Sequence, residues 1–317
     1  VLIIGLGNIG LGYDFNLDAE NFILTHSQAF DKHPFFHIVG GVDLDKVKRL
    51  SFEQKFKKKS FKNTSEGIKK LSPDLVVVST PISTICDILL EVLENKNIKY
   101  ILCEKPFSFN LYKAKQVNNL AKSNKCNIFV NYMRRSDIGV KELKKRIDNK
   151  TIDTPITGHV WYSKGMYNSA SHFINLFQYL FGDVLNYDVV NFKKYYDKDT
   201  DPDFKLMFNK VDIIFQSLDV NNFFYNAFEL FSKNCRVRYE RGGEKISIVY
   251  EEKKEILTDH VTLSSDTEYL PSDFYRVQWH VVNEISEFIK GKPACLSFAK
   301  DATNTLKVLN GLKEIKL

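Results

Sequence analysis

A glycine-rich segment near the start of the chain has the spacing of a phosphate-binding turn. Gly5, Gly7 and Gly10 form a GxGxxG pattern that directly follows an apolar run. In such a turn the first glycine permits the tight bend, the second lets the backbone approach a pyrophosphate, and the third allows close contact between helix and strand. A glycine turn in another α/β fold would look the same, so the motif alone is weak. Its position after a strand predicts a dinucleotide site that also includes Asn8 and Ile9.

An acidic residue ends the second apolar run of the chain, His37–Asp43. A carboxylate at this place accepts hydrogen bonds from the ribose hydroxyls and repels a 2′-phosphate, so Asp43 predicts NAD(H) in preference to NADP(H). Asp43 lies further from Gly10 than the usual spacing of about 20 residues. We therefore expect an elaborated loop over Leu11–Phe22 and then a helix over Ile23–Lys32. The opposing observation is a group of nearby cations that could turn toward a phosphate, namely Lys46, Lys48 and Arg49.

A lysine follows the apolar run Lys99–Glu104 and precedes a proline. Lys105 is thereby expected at the carboxyl end of a parallel strand, which is the edge where such sheets bind ligands. An ammonium group there could hold a nicotinamide ribose and a substrate hydroxyl together, and burial would lower its pKa toward catalytic use. A lysine facing solvent in a turn is the ordinary alternative for an arbitrary Lys-Pro pair.

The elements that must position these residues alternate in the first part of the chain. Apolar runs that predict strands are Val1–Gly5, His37–Asp43, Asp74–Thr80, Lys99–Glu104 and Cys126–Tyr132. Between them lie helical patterns such as Thr84–Asn95 and Leu111–Lys125, in which apolar residues recur every three or four positions. Near-continuous apolar strands separated by helices are typical of a parallel sheet covered on both faces. Residues 1–130 are therefore predicted to form an α/β, doubly wound Rossmann domain that binds a dinucleotide.

After about Arg135 the pattern changes to strands that alternate apolar and polar residues, grouped apart from the helices. This pattern predicts an α+β domain over residues 131–317 with a large, mainly antiparallel open sheet, which would bind the substrate and mediate oligomerisation. The apolar residues expected on the open face of that sheet are Phe204, Leu206, Phe208, Phe223 and Tyr225. A second copy of the chain would cover them, so we expect a homodimer or homotetramer that assembles through this sheet.

The composition excludes several classes of protein. The chain has 317 residues, of which 44% are hydrophobic and 26% charged, as in an ordinary globular protein. Its apolar runs are too short to span a membrane, and no signal peptide is expected. Five cysteines without a CxxC pair favour reduced, buried thiols in a cytoplasmic protein, and the histidines lack metal-ligand spacing. The net charge of +6 is mild, so a nucleic-acid partner is not expected.

Taken together, the motifs resemble one family of oxidoreductases. The segments GLGNIG, VVVSTP, CEKP, NYMRR and Asn168-x-Ala170-x-His172-x-x-Asn175 occur in the same order as in the glucose-fructose oxidoreductase / inositol dehydrogenase (Gfo/Idh/MocA) family, over residues 1 to about 182. The resemblance implies a Rossmann domain, a sugar-facing α/β domain, and hydride transfer between a nicotinamide cofactor and a secondary alcohol or ketone. It further implies cofactor contacts from Thr80, Pro81 and Glu104 and a substrate contact from Arg134.

The resemblance also assigns catalytic roles, with one departure from the family pattern. It places the catalytic lysine at Lys105 and the acid/base histidine at His172, both of which would also contact the substrate. The aspartate four residues before that histidine is replaced by Asn168, another catalytic and substrate-binding candidate, and Asn175 replaces a second aspartate. Asparagine donates and accepts hydrogen bonds but cannot stabilise an imidazolium as a carboxylate does. Tyr167 is a reserve proton donor, although aromatic residues at such positions more often pack than react.

Three functions follow from these observations. The first is an NAD(H)-dependent oxidoreductase that acts on a sugar or nucleotide sugar. The second is a non-catalytic protein that senses a dinucleotide or a sugar on the same scaffold, which the replaced aspartates favour and Lys105 opposes. The third is a reductase of a non-sugar substrate.

Overall fold

A computed structural model describes residues 1–196, 199–253 and 260–315. The chain divides into two compact units. Unit 1 comprises Val1–Ser136 and Tyr275–Leu306, and unit 2 comprises Asp137–Phe274 and Lys307–Leu317.

Unit 1 is built on a parallel sheet of six strands in its described residues, in the order β3-β2-β1-β4-β5-β6. The strands are β1 (Leu2–Ile4), β2 (Gly40–Val42), β3 (Ser60–Phe61), β4 (Leu75–Val78), β5 (Tyr100–Cys103) and β6 (Asn127–Val130). Strands β1 and β4 are entirely buried, as expected for central strands covered on both faces. The strand order reverses between β1 and β4, which makes this crevice the topological switch point. The predicted α/β fold of this region is confirmed.

Unit 2 contains a larger mixed sheet, with the strand order β14-β13-β12-β11-β7-β10-β9-β8 and β15 paired to β13 within its described residues. The strands are β7 (Ile156–Ser163), β8 (Asn186–Asn191), β9 (Asp203–Phe208), β10 (Val211–Leu218), β11 (Ala227–Phe231), β12 (Cys235–Glu240), β13 (Lys245–Lys253), β14 (Val261–Leu263) and β15 (Glu268–Tyr269). All of these pairings are antiparallel except the one between β7 and β10. The mainly antiparallel sheet expected in this part of the chain is therefore present.

The helices of the described residues flank these sheets. They are α1 (His26–Lys32), α2 (Lys46–Phe56), α3 (Thr64–Leu71), α4 (Ile82–Leu93), α5 (Leu111–Ser123), α6 (Ile138–Asp148), α7 (Ser171–Phe181), α8 (Val277–Ile289) and α9 (Ala299–Glu314). Among them, none combines the length and the apolar character that a membrane crossing requires.

The C-terminal part of the chain returns to unit 1, which differs from the predicted division at residue 130. Val281, Val282 and Ile285 of α8 lie in the same buried cluster as Phe30 and Phe129. Beyond α8, the Val130 N–H donates to the Ser297 carbonyl (2.8 Å). The helical period of α8 predicts an apolar face, but the period does not say which sheet that face covers. Residues 275–306 therefore belong with the Rossmann domain and not with the second domain.

Three of the five residues expected on the open face of the large sheet lie on its covered face instead, whereas Phe223 is 60% exposed and, like Tyr225, lies in the connection between β10 and β11. Phe204, Leu206 and Phe208 are at most 4% exposed within the single chain. The aromatic rings of α7 pack against this face. The ring of Phe177 lies edge to face with Phe215 of β10 (6.0 Å between ring centroids) and with Phe228 of β11 (5.2 Å). The alternation of apolar and polar residues along a strand identifies the two faces of the sheet, but only the position of α7 decides which face is covered. The expectation that a second copy of the chain covers these three residues is therefore wrong.

Candidate functional site

A cavity of about 1090 Å³ opens at the carboxyl ends of β1, β2 and β4 in unit 1. Its walls include most of the residues predicted to hold a dinucleotide. These are Gly5, Gly7, Asn8, Ile9, Asp43, Thr80 and Pro81. The cavity lies at the switch point of the sheet, where open α/β sheets bind their ligands. Gly10, Glu104, Lys105 and Arg134 do not line this cavity.

The three positions of the turn carry glycine for different structural reasons. Gly5 has φ +92°, and a Cβ there would lie 2.6 Å from the Ser79 carbonyl oxygen. A Cβ on Gly10 would lie 2.0 Å from the Gly5 carbonyl oxygen, whereas a Cβ on Gly7 would meet no atom within 4 Å. Gly5 and Gly10 are therefore required by the fold of the turn. Gly7 is not, and its open side faces the cavity.

The segment after the glycine turn is less helical than the motif suggests. A five-residue helical turn, Asn8–Gly12, follows β1, and α1 begins only at His26. The expected loop over Leu11–Phe22 thus includes the end of this turn. Asp14 organises the entry into α1, because its carboxylate accepts hydrogen bonds from the N–H groups of Leu24 (2.7 Å) and Thr25 (2.9 Å) and from the Thr25 hydroxyl (2.7 Å).

Ser79 fixes the glycine turn from the neighbouring strand. Its hydroxyl donates to the carbonyl oxygens of Gly5 (2.8 Å) and Ile4 (3.1 Å), and its side chain is buried. Sequence reasoning did not single out this residue, although it lies inside the VVVSTP motif. A small hydroxyl residue directly after a buried strand that borders the glycine turn is the signal that could have identified it.

Asp43 and the cations around it determine the electrostatics of one end of the cavity. The Asp43 carboxylate accepts hydrogen bonds from the N–H groups of Leu6 (2.7 Å) and Asp45 (2.8 Å), one on each oxygen. Each carboxylate oxygen has a second lone-pair site for a ligand hydroxyl. The Arg49 guanidinium donates to the carbonyl oxygens of Asp43 (2.7 Å) and Leu44 (2.9 Å).

Glu104 and Lys105 follow β5, one strand further along the same edge of the sheet. The Glu104 N–H donates to the Val78 carbonyl (3.0 Å), so Glu104 continues the pairing of β4 with β5. Its carboxylate bonds the Nε2 atom of His26 (2.8 Å) and accepts a hydrogen bond from Nδ2 of Asn131 (2.7 Å). Burial acts to raise the pKa of Glu104, but the hydrogen bond and charge of His26, the Asn131 bond and the charge of Lys105 outweigh it and hold the pKa below its ordinary value. His26 was not among the predicted site residues.

The remaining candidates of the first unit and of the second unit lie in different surroundings. Arg134 is buried in the short turn Met133–Ser136 of unit 1. His172 is the second residue of α7 in unit 2 and is half-buried. The N–H of Asn168 donates to Asp199 Oδ2 (3.0 Å), and burial raises the pKa of this carboxyl group. Asp199 thus places a carboxyl group next to the backbone of the position where the family has an aspartate.

Tyr167 is held in a structural arrangement. Its hydroxyl donates to Asn310 Oδ1 of α9 (2.7 Å), and its side chain is buried. Burial and the nearby charge of Asp199 raise the pKa of Tyr167 to about 12. A phenol with this pKa releases its proton less readily than an ordinary tyrosine, which weakens the case for Tyr167 as a proton donor.

Comparison with known proteins finds a family match for the N-terminal segment of the chain. Residues 1–132 match the Gfo/Idh/MocA model, described as an oxidoreductase family with an NAD-binding Rossmann fold. A 150-residue segment is 27% identical to myo-inositol 2-dehydrogenase of Thermotoga maritima and covers 47% of this chain and 42% of that protein. The matched segment therefore spans less than half the length of this relative.

Solved structures share the fold over nearly the whole chain. An NAD-binding oxidoreductase from Klebsiella pneumoniae has a TM-score of 0.79 at 13% identity and covers 98% of this chain and 95% of its own. The WlbA dehydrogenase of Bordetella pertussis, in complex with NADH and UDP-GlcNAcA, has a TM-score of 0.75 at 14% identity and covers 98% and 93%. These likenesses show the fold. With the family match, they confirm the resemblance that the motifs indicated: residues 1–132 match the NAD-binding Rossmann fold of the Gfo/Idh/MocA oxidoreductase family.

Proposed function

We propose that this protein is an NAD(H)-dependent oxidoreductase that transfers hydride to or from a secondary alcohol or ketone of a sugar or nucleotide sugar. The observation that carries this proposal is the cavity at the switch point of the parallel sheet. Gly7 leaves open space on its wall where a pyrophosphate would approach the backbone, and Asp43 offers acceptors to a ribose.

The residues of the cavity fit a dinucleotide and favour NAD(H) over NADP(H). The Asp43 carboxylate repels a 2′-phosphate, and Arg49 is occupied by backbone carbonyl groups. Lys48 and Lys62 also line the cavity and oppose this preference. Fluorescence titration with NADH and NADPH tests the choice, because tighter binding of NADPH would contradict it.

The chemical roles follow from the resemblance and from general acid–base principles. A bound nicotinamide cofactor supplies or accepts the hydride. Lys105 polarises the reacting oxygen of the substrate, and His172 accepts or returns its proton. Asn168, in place of an aspartate, orients the imidazole without supplying a negative charge.

The substrate class is supported by the named relatives. One is a dehydrogenase of a cyclic polyol, and another binds NADH together with a nucleotide sugar. Both compounds carry secondary hydroxyl groups of the kind that Lys105 would polarise.

The proposal is tested by following nicotinamide absorbance during a screen of sugars, inositols and nucleotide sugars. With an active substrate, Lys105→Ala should lower kcat/KM by at least about a hundredfold while NADH binding persists. Lys99→Ala is the matched control, because Lys99 precedes the opposite end of the same strand and its ammonium group donates to the Lys96 carbonyl. Turnover of Lys105→Ala close to that of the unaltered protein would exclude this mechanism.

A second candidate function is a non-catalytic sensor of dinucleotide or sugar. The observation that favours it is the replacement of both family aspartates by Asn168 and Asn175. Tight binding of NAD(H) without turnover of any sugar or non-sugar carbonyl compound would support this alternative.

A further inference from the structure

A buried polar network lies beside the turn that carries Lys105. Glu104 Oε1 bonds His26 Nε2 (2.8 Å) and accepts from Asn131 Nδ2 (2.7 Å), which also donates to Gln278 Oε1 (3.2 Å). The His26 side chain is fully buried, and only 14% of the Glu104 side chain is exposed. A carboxylate this buried keeps its charge only when hydrogen-bond donors replace the lost water. His26 and Asn131 supply those donors.

The two ring nitrogens of His26 have different surroundings. Nε2 faces a carboxylate oxygen and therefore carries a proton. Nδ1 is buried and has no hydrogen-bond partner among the described residues. His26 and Asn131 therefore both donate to the Glu104 carboxylate, whose lowered pKa keeps it ionised.

The place of Glu104 in the sheet indicates which part of a dinucleotide it faces. Along the sheet edge, Asp43 follows β2, the glycine turn follows β1, and Glu104 follows β5 on the far side of β4. A dinucleotide with its adenosine ribose at Asp43 and its pyrophosphate at the glycine turn extends its nicotinamide toward β4 and β5. This step rests on the proposed function.

We propose that His26 is a positioning residue which, through Glu104, sets a preference of the site for oxidised over reduced nicotinamide. The oxidised ring carries a positive charge and the reduced ring carries none, so a fixed carboxylate on this side of the sheet stabilises the oxidised form selectively. His26 contributes by donating the Nε2 hydrogen bond that holds the carboxylate in place.

Dissociation constants of NAD⁺ and NADH for matched variants test this proposal. In Glu104→Gln, the Kd of NAD⁺ should rise about tenfold, while the Kd of NADH should change by about threefold or less. His26→Ala should shift the ratio of the two constants in the same direction. His26→Gln, whose amide N–H can take the place of Nε2–H, should restore the original ratio.

The control is His33→Ala, which removes another buried histidine next to the end of α1. His33 Nε2 lies 3.4 Å from Asn283 Oδ1 and is no part of the Glu104 network. This variant should leave the ratio unchanged even if it lowers Tm. A ratio that is unchanged in both Glu104→Gln and His26→Ala, in proteins that still bind NADH, would overturn the proposal. Should His26→Ala not fold, the nearly isosteric Glu104→Gln decides alone, whereas failure of the unaltered protein to bind either dinucleotide would refute the proposed function itself.

Discussion

Replacing Gly10 or Gly7 by alanine should show which glycine the fold of the turn requires and which one the bound dinucleotide requires. In Gly10→Ala, the new Cβ would lie 2.0 Å from the Gly5 carbonyl oxygen, so the backbone of the turn must shift. Overpacking of this kind costs about 3 kcal/mol of the free energy of unfolding, equivalent to a fall in Tm of the order of 10 °C. In Gly7→Ala, the Cβ meets no atom within 4 Å, and φ is −77°, which alanine adopts freely. Its free energy of unfolding should change by about 0.5 kcal/mol or less.

For NADH binding we expect the opposite order, with the larger loss of affinity in Gly7→Ala. The Gly7 methyl group would project from the cavity wall where we place the pyrophosphate, so the Kd of NADH should rise about tenfold or more. The assay is thermal unfolding without ligand together with fluorescence titration of NADH for both variants. Equal losses of Tm in the two variants would refute the structural argument. Unchanged NADH affinity of Gly7→Ala would refute the assignment of this wall to the pyrophosphate.

The remaining predictions concern residues in both units. A thiol reagent should modify Cys295 first in the native protein, because it is the partly exposed one of the five cysteines, and the buried others should react only on unfolding; simultaneous labelling of all five below Tm would contradict this. Asn168→Asp adds a carboxylate beside Asp199, whose pKa is already raised by burial. A carboxyl group with a raised pKa in the folded state contributes stability that is lost as pH rises above its unfolded pKa of about 4, so the variant should lose more Tm than the unaltered protein as pH rises above about 4. Parallel Tm profiles of the two proteins would exclude the interaction. Glu268 accepts two hydrogen bonds of 2.6 Å from Arg146, which lower its pKa. Glu268→Gln should therefore lower the free energy of unfolding by up to about 1 kcal/mol near pH 7. This difference from the unaltered protein should vanish as pH falls through the pKa of Glu268. Urea unfolding of both proteins near pH 7 and at a pH below that pKa measures it.

The sequence alone was sufficient for features that depend on neighbouring residues. Apolar runs such as Leu75–Val78 have to be buried on both faces, so their order with intervening helices predicts a parallel sheet. The glycine turn is equally local, because the spacing of Gly5, Gly7 and Gly10 is set by the geometry of one bend. The position of Asp43 after the second strand also placed it on the cavity wall.

Tertiary structure decided the features that join distant parts of the chain. His26 and Glu104 are 78 residues apart, and no spacing in the sequence pairs them. The apolar face of α8 could have covered either sheet, and only packing assigns it to the Rossmann domain. In the large sheet, alternation identified two faces, but the rings of α7 determined that Phe204 and Leu206 lie on the covered one. Local pattern fixes where a side chain points relative to its own element, whereas the partner that it meets depends on how the elements pack.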